Sequence, residues 1–144
     1  MFFRQTFLAL TICLLAVSLT FPPEIMADVT KRVVFPKGKK TVSYKGKLPK
    51  QYASYDAYVL RAKKGQTITV KLTTADADAS FSIYETKELG PEEDAIYSNT
   101  QEILHEWSGK LPITSEYSVQ IYGVSNIDDK DVSGAAYTIE ISLR

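Results

Sequence analysis

The stretch at residues 129–140, DKDVSGAAYTIE, has the residue types and nearly the spacing of a calcium-binding loop. Such loops follow the pattern D-x-[DN]-x-[DN]-G-x5-E, in which oxygen ligands alternate with spacers before a glycine turn. Positions one, three, five, six and twelve are filled by Asp129, Asp131, Ser133, Gly134 and Glu140. Only the serine departs from the pattern, and its hydroxyl still offers an oxygen. The stretch is therefore a candidate calcium site.

The neighbouring sequence argues against a complete EF-hand. An EF-hand loop is flanked by two helices, whereas residues 137–143 alternate apolar and polar side chains as a strand does. Glu140 would then lie on the outward face of a straight strand and could not easily turn back to an ion. If calcium binds, we expect Asp129, Asp131 and Ser133 to hold it alone. An acidic loop without metal is the competing interpretation.

Other catalytic constellations are missing from the sequence. It has one histidine, His105, and one cysteine, Cys13, whereas a zinc site needs three or four ligands. A serine triad needs a histidine held by a carboxylate. Glu106 follows His105 directly, and adjacent strand residues point to opposite faces, so these two cannot form that contact simply. We therefore expect no enzymatic activity and no cofactor.

Residues 1–27 read as a signal peptide. Arg4 supplies a positive charge, residues 7–19 form an apolar run, and Ala27 offers a small residue for cleavage. The run is shorter than the roughly 20 residues that a membrane-spanning helix needs. We expect a bacterial periplasmic or secreted protein with no membrane span after processing; an uncleaved anchor is the alternative.

The remaining part, residues 28–144, is predicted to be one domain without disulfides, because Cys13 leaves with the signal peptide. Cleavage removes Arg4 and Glu24, so basic and acidic residues still balance. A surface for nucleic acid or for an anionic membrane needs a basic excess, and we expect neither partner.

The dominant pattern in this domain has a period of two residues. Apolar side chains alternate with polar ones at residues 67–73, 117–122 and 137–143, and more weakly at 32–35, 41–44, 55–62, 79–84 and 103–107. Strict alternation is typical of strands with one buried and one solvated face, as in antiparallel sheets. The sequence predicts an all-β fold: a single antiparallel β-sandwich of about eight strands, jelly-roll-like in arrangement.

Turn signals separate the predicted strands. Residues 36–40 (PKGKK) and 108–112 (SGKLP) are predicted breaks, and residues 63–65 (KKG) are a predicted three-residue hairpin connection. Gly65 suits the positive φ that such a connection requires.

The tyrosines divide according to this alternation. Tyr58, Tyr117 and Tyr137 are in phase with aliphatic residues and are predicted to lie in the core, whereas Tyr84 and Tyr122 are predicted to face outward. Outward tyrosines can stack on sugar rings or anchor a protein partner. The simpler interpretation is that aromatic residues favour strands in general.

Several segments in order along the chain resemble one family. These are residues 37–46 (KGKKTVSYKG), 55–72 (YDAYVLRAKKGQTITVKL) and 80–84 (SFSIY), followed by WSGKLP and a tyrosine within 107–117. Together they resemble the periplasmic inhibitors of g-type lysozyme and the similar bacterial pre-peptidase C-terminal domains. The resemblance implies an exported binding protein whose partner is a lysozyme-type hydrolase. A module that binds cell-wall glycan, or a structural module stabilised by calcium, is the alternative.

The resemblance also implies which loops bind the partner. In the family one loop contains S-G-x-Y, which corresponds here to Thr114, Ser115, Glu116 and Tyr117. A second loop contains arginines in an R-x-x-x-R arrangement, and those positions fall on Ser125 and Asp129. The candidate partner-binding residues are Thr114, Ser115, Glu116, Tyr117, Ser125, Asn126 and Lys130. Lys130 is the only cation in SNIDDKD, and it lacks the guanidinium fork of the arginines that it would replace.

Overall fold

The computed structural model describes residues 27–48, 55–76, 79–86, 95–98, 105–123 and 134–144. Nine strands form within these ranges. They are β1 (Ala27–Arg32), β2 (Thr41–Lys47), β3 (Tyr55–Ala62), β4 (Thr67–Thr74), β5 (Ser80–Glu85), β6 (Tyr97–Ser98), β7 (Glu106–Lys110), β8 (Ser115–Tyr122) and β9 (Ala136–Leu143). Within these ranges no helix is long and apolar enough to cross a membrane. The predicted all-β class is confirmed.

The strands form two sheets that face each other. One sheet has the order β1-β3-β8-β5-β6 and the other has the order β2-β9-β4-β7. The chain crosses repeatedly from one sheet to the other between β2 and β9, which is the eight-stranded jelly-roll arrangement. The predicted jelly-roll-like sandwich is therefore confirmed. β1 is an additional edge strand, and it pairs with β3 in parallel, unlike every other strand pair described.

The core lies between the two sheets, where the alternating residues of each strand meet. β4 contributes Ile68, Val70 and Leu72, and their side chains are at most 2% exposed. Tyr58, Tyr117 and Tyr137 are buried in the same core, as their phase predicts. Burying such side chains is the main favourable term in folding.

The connection at residues 63–65 is not a hairpin. β3 pairs with β1 and β8, whereas β4 pairs with β7 and β9, so the turn carries the chain between sheets. Gly65 does adopt the predicted positive φ, at 84°. The prediction identified the turn correctly but was wrong about the strands that it joins, because a turn sequence specifies local geometry and not strand partners.

Several strand boundaries also differ from their predictions; β8, for example, begins at Ser115 and not at Tyr117. The predicted strand at 32–35 lies earlier, because β1 ends at Arg32. The predicted break at 108–112 begins later, because β7 continues to Lys110. Gly109 lies within this strand, and the indole ring of Trp107 covers the space where its Cβ would lie. A glycine in a strand can mark such a close approach instead of a turn.

The register of the strands defines two ends of the sandwich. Ala62 of β3 pairs with Ser115 of β8, and Thr67 of β4 pairs with Lys110 of β7. We call this the Thr114 end; it comprises the connections at 33–40, 63–66 and 111–114 together with Arg144. The opposite end, where β3 begins and β8 finishes, we call the Tyr122 end.

Candidate functional site

The connection at residues 111–114 is fixed to the turn at 63–66 by three hydrogen bonds. The Gly65 N–H donates to the Leu111 carbonyl at 2.9 Å, and the Leu111 N–H donates to the Gln66 carbonyl at 2.8 Å. The Lys64 N–H donates to Oγ1 of Thr114 at 2.9 Å. Thr114 is exposed, so one face of this candidate residue is accessible while its hydroxyl joins two segments.

Ser115 and Tyr117 face the interior of the sandwich. They occupy alternate positions of β8 and are 3% and 0% exposed. The Tyr117 hydroxyl donates to the Ile113 carbonyl at 2.6 Å. Burial raises the pKa of Tyr117 above its ordinary value, since the phenolate would lose its hydration. The side chains of Ser115 and Tyr117 are thus turned away from the surface, and a partner-binding role for Thr114, Ser115, Glu116 and Tyr117 stays a prediction.

Glu116 lies between them on the outward face of β8. Its Oε2 accepts a hydrogen bond from the Arg32 guanidinium at 2.7 Å, and both side chains are partly exposed. Its carbonyl accepts hydrogen bonds from the N–H and the hydroxyl of Thr86. Exposed ion pairs of this kind contribute roughly 0–1 kcal/mol. Arg32 therefore largely neutralises the carboxylate of Glu116 at this surface.

The second predicted loop lies outside the described residues, which end at Gly123 and resume at Gly134. Its candidate residues Ser125, Asn126 and Lys130 therefore remain predictions. The residues on either side of it belong to the Tyr122 end, whereas Thr114 precedes the other end of β8. The 8 residues of β8, at a rise of about 3.3 Å each, separate the two positions by roughly 25 Å. The described residues therefore do not bring the two loops together.

The candidate calcium residues Asp129, Asp131 and Ser133 also lie outside the described residues. Glu140 is described: it is exposed in the middle of β9, where it pairs with Ser43 and Lys71 in the neighbouring strands. The predicted outward position of Glu140 is confirmed. No cluster of three or more potential metal ligands occurs in the described part of the chain.

His105 and Glu106 have separate surroundings, as their alternation predicts. The His105 carbonyl accepts the Leu72 N–H at 2.7 Å. The Glu106 carboxylate lies 3.7 Å from Nζ of Lys71, and both of those side chains are exposed. The pair therefore does not form the hydrogen bond that a catalytic histidine requires.

Three tyrosines meet on the outward face of the five-stranded sheet. Tyr84 and Tyr122 are half-buried there, in accord with their prediction, and sequence reasoning missed Tyr55. The ring centroids of Tyr55 and Tyr122 are 5.7 Å apart, and the Tyr122 hydroxyl donates to Oε1 of Gln120. Burial, and then hydrogen bonding with Tyr84, raises the pKa of Tyr122.

Sequence reasoning also missed a polar contact inside the core. Asp56 is 4% exposed and lies in the alternation of β3 with Tyr58 and Leu60. The Tyr137 hydroxyl donates to its Oδ2 at 2.5 Å. A carboxylate in phase with apolar residues is the sequence signal that points to such a buried group.

Several solved structures share this architecture, whereas no protein-family model and no curated protein sequence matches the chain. The g-type lysozyme inhibitor PliG of Aeromonas hydrophila matches with a TM-score of 0.60 and 25% identity, over 81% of this chain and 96% of that one. PliG of Salmonella Typhimurium matches with a TM-score of 0.55 and 20% identity, over 81% and 98%. A PliG mutant from Escherichia coli matches with 0.55 and 22%, over 80% and 97%.

These matches confirm the resemblance that the sequence segments indicated. The chain has the fold of the periplasmic lysozyme inhibitors over nearly the whole length of those proteins. The proteins that it resembles are inhibitors and not enzymes, and by name they act in the periplasm on g-type lysozyme. The similarity to the Aeromonas protein, at 25% identity, supports a lysozyme-inhibitor-like binding role, whereas the other two matches show the shared fold.

Proposed function

We propose that this protein is exported to the periplasm, loses residues 1–27, and binds a lysozyme-type cell-wall hydrolase so as to block it. One observation carries the proposal: the likeness to the Aeromonas inhibitor extends over 96% of that chain at 25% identity. The sequence segments that resemble the inhibitor family support it independently. The protein would act without catalysis and without a cofactor.

The exposed connection at the Thr114 end is the contact surface that we favour. Its last residue, Thr114, is the first position of the segment that resembles S-G-x-Y in the family, and the hydrogen bond from the Lys64 N–H to Thr114 fixes its position. A connection fixed before binding loses less conformational entropy on association. This surface does not require Ser115 or Tyr117 to leave the core.

An inhibition assay tests this function. The chain without residues 1–27 is added at micromolar excess to g-type, c-type and i-type lysozymes acting on peptidoglycan. We expect at least the g-type enzyme to lose activity, and we expect Glu140→Gln, a change in the middle of β9, to inhibit equally well. Full activity of all three enzymes at that excess would rule out the inhibitor.

A second candidate function is binding of cell-wall glycan by the outward tyrosines. The meeting of Tyr55, Tyr84 and Tyr122 on one sheet face favours it, because aromatic rings can stack on sugar rings. Sedimentation with insoluble peptidoglycan measures it, with Tyr84→Ala as the variant and Thr73→Ala, at an exposed position of β4 on the other sheet, as the control. Absence of the parent protein from the pellet excludes this candidate.

A further inference from the structure

Lysines are concentrated at the Thr114 end of the sandwich. Six of them come from three separate connections and their edges: Lys37, Lys39, Lys40, Lys63, Lys64 and Lys110. All six are exposed. The acids at this end, among the residues described, are Glu85 and Glu116. Residues 87–94, which carry four acids and one lysine, lie outside the described part.

Backbone hydrogen bonds join the segments that carry these lysines. The Leu143 N–H donates to the Lys40 carbonyl at 2.8 Å, and Thr67 and Arg144 exchange hydrogen bonds of 2.8 and 3.0 Å. Thr67 in turn pairs with Lys110 across the sheet. Lys40 precedes β2 at one edge of the four-stranded sheet and Lys110 lies on β7 at the other edge, so these contacts spread the positive charges in a row across one end of the sandwich.

The described acids leave these charges unneutralised. Two ion pairs occur in the described ranges, Arg32 with Glu116 and Lys71 with Glu106, and neither includes one of the six lysines. A group of like charges at one end produces a field that attracts an oppositely charged partner and speeds its association. The zero net charge of the chain conceals this separation.

An apolar side chain lies within this basic surface. Ile113 is one of few large apolar residues exposed in the described part, at 43%. Its position is fixed, because its carbonyl accepts the Tyr117 hydroxyl from the core. An apolar centre with a charged rim is typical of a protein–protein interface. A site that bound polyanions by charge alone would not need an exposed isoleucine.

We propose that the Thr114 end is a docking surface for an acidic protein surface, with Ile113 as its apolar anchor and the six lysines as its basic rim. The identity of the partner rests on the proposed function: the acidic surface would belong to the hydrolase. The family resemblance assigns the cations to the segment after Val124. Here the six lysines lie at the other end of β8 and would replace the arginines that Ser125 and Asp129 do not supply.

Charge reversal at matched positions tests the docking surface. Lys63→Glu with Lys64→Glu changes the Thr114 end, and Lys45→Glu with Lys47→Glu makes the same charge change on exposed positions of β2. Association with g-type lysozyme is measured at 50 mM and 300 mM salt. We expect the first variant to associate about tenfold more slowly at low salt and to lose that difference at high salt, with little change in the control. Equal slowing in both variants would overturn the proposal.

A second variant separates a protein surface from a general polyanion site. We expect Ile113→Ser to speed dissociation of the lysozyme severalfold with little change in association, because buried anchors act mainly on the off-rate. If Ile113→Ser has no effect and a DNA duplex or heparin binds as tightly as the enzyme, the site binds polyanions and the proposal fails.

If no lysozyme binds the parent protein, the proposed function fails but the docking surface is still tested. Poly-L-glutamate then serves as the probe, and backbone amide shifts are followed by NMR. We expect shifts confined to residues 37–40, 63–65 and 110–114, and we expect them to become smaller in the Lys63→Glu, Lys64→Glu variant. Shifts that are absent or spread over both ends overturn the surface itself.

Discussion

Tyr137 on the four-stranded sheet donates a 2.5 Å hydrogen bond to Asp56 on the five-stranded sheet, within the core. A phenol carries a single proton, so the Tyr58 hydroxyl, 2.8 Å from that of Tyr137, must donate to it. The three side chains form a polar chain between sheets that otherwise meet through apolar groups. Because a buried carboxylate without donors is costly, the position of Tyr137 is tied to that of Asp56.

Tyr137→Phe is expected to destabilise the fold more than Tyr58→Phe does. The first change removes a donor from a buried carboxylate, which costs about 1–3 kcal/mol, whereas the second leaves the bond between Tyr137 and Asp56 in place. Urea unfolding at pH 7 measures the free energy of unfolding of each variant. Equal losses would contradict donation from Tyr58 to Tyr137 and from Tyr137 to Asp56.

Stability is expected to fall above pH 10. Burial above all, and for Tyr137 also its hydrogen bond to Asp56, raises the pKa of Tyr58 and Tyr137 above the ordinary value of 10.0. Below pH 10 the folded and unfolded chains both hold these protons, so the contribution to stability is fully present. Above it the unfolded chain releases its protons first, which lowers the free energy of unfolding by about 1.4 kcal/mol per pH unit for each proton. Urea unfolding between pH 9 and 11 measures this slope. We expect the slope to become shallower when both tyrosines are replaced by phenylalanine, with a remainder from Tyr117 and Tyr122, whose pKa values burial also raises. An unchanged slope would contradict the assignment.

Alternation predicted the strands that expose one face and bury the other, such as β4 and β9. It did not predict β1, whose sequence ADVTKR has no apolar alternation and whose Val29 is 41% exposed. β1 is an edge strand that pairs with β3 through backbone hydrogen bonds. Such pairing does not require apolar and polar side chains to alternate, so the sequence carries no pattern that predicts it. Likewise, the lysine-rich end depends on topology, because residues 37–40, 63–64 and 110 are distant in sequence.

Tyr117 of the candidate site also shows what a local sequence pattern cannot predict. The phase of Tyr117 predicted a core residue, whereas the family resemblance assigned it to a binding loop, and the structure places its side chain in the core. Its hydroxyl nevertheless donates a hydrogen bond to the Ile113 carbonyl, and this bond helps to fix the exposed connection at residues 111–114. The alternation of apolar and polar residues predicted which face of β8 carries Tyr117. It could not predict the contact with Ile113, because that contact depends on how residues 111–114 cross the end of the sandwich.

Gly46→Ala is expected to cost more stability than Gly109→Ala. A Cβ at either position would overlap a ring, that of Tyr137 over Gly46 and that of Trp107 over Gly109. Overpacking of a fixed neighbour costs about 1–3 kcal/mol. The Tyr137 ring is held by its hydrogen bond to Asp56, whereas Trp107 is only partly buried and can turn outward. Urea unfolding of both variants measures the difference; a larger loss for Gly109→Ala would show that the indole is the more firmly held ring.

Removing calcium is expected to leave the melting temperature unchanged. No cluster of three or more potential metal ligands occurs in the described part of the chain. Glu140 is exposed in the middle of β9. A ligand present at about 100 times its dissociation constant would add roughly 2.7 kcal/mol to stability. Thermal unfolding in millimolar calcium and in excess EDTA compares the two conditions. A lower melting temperature in EDTA would instead assign a site to Asp129, Asp131 and Ser133.

Thr114→Val is expected to loosen the connection at the Thr114 end. The valine keeps the shape of the side chain but removes the oxygen that accepts the Lys64 N–H. Loss of one such hydrogen bond costs about 0.5–1.5 kcal/mol, and less where water replaces the acceptor. Thr114→Ser keeps the hydroxyl and serves as the control. Hydrogen exchange of the Lys64 amide measures the change, and we expect faster exchange in the valine variant alone. If the Lys64 amide exchanges no faster in Thr114→Val than in the parent protein, the hydroxyl does not fix this connection.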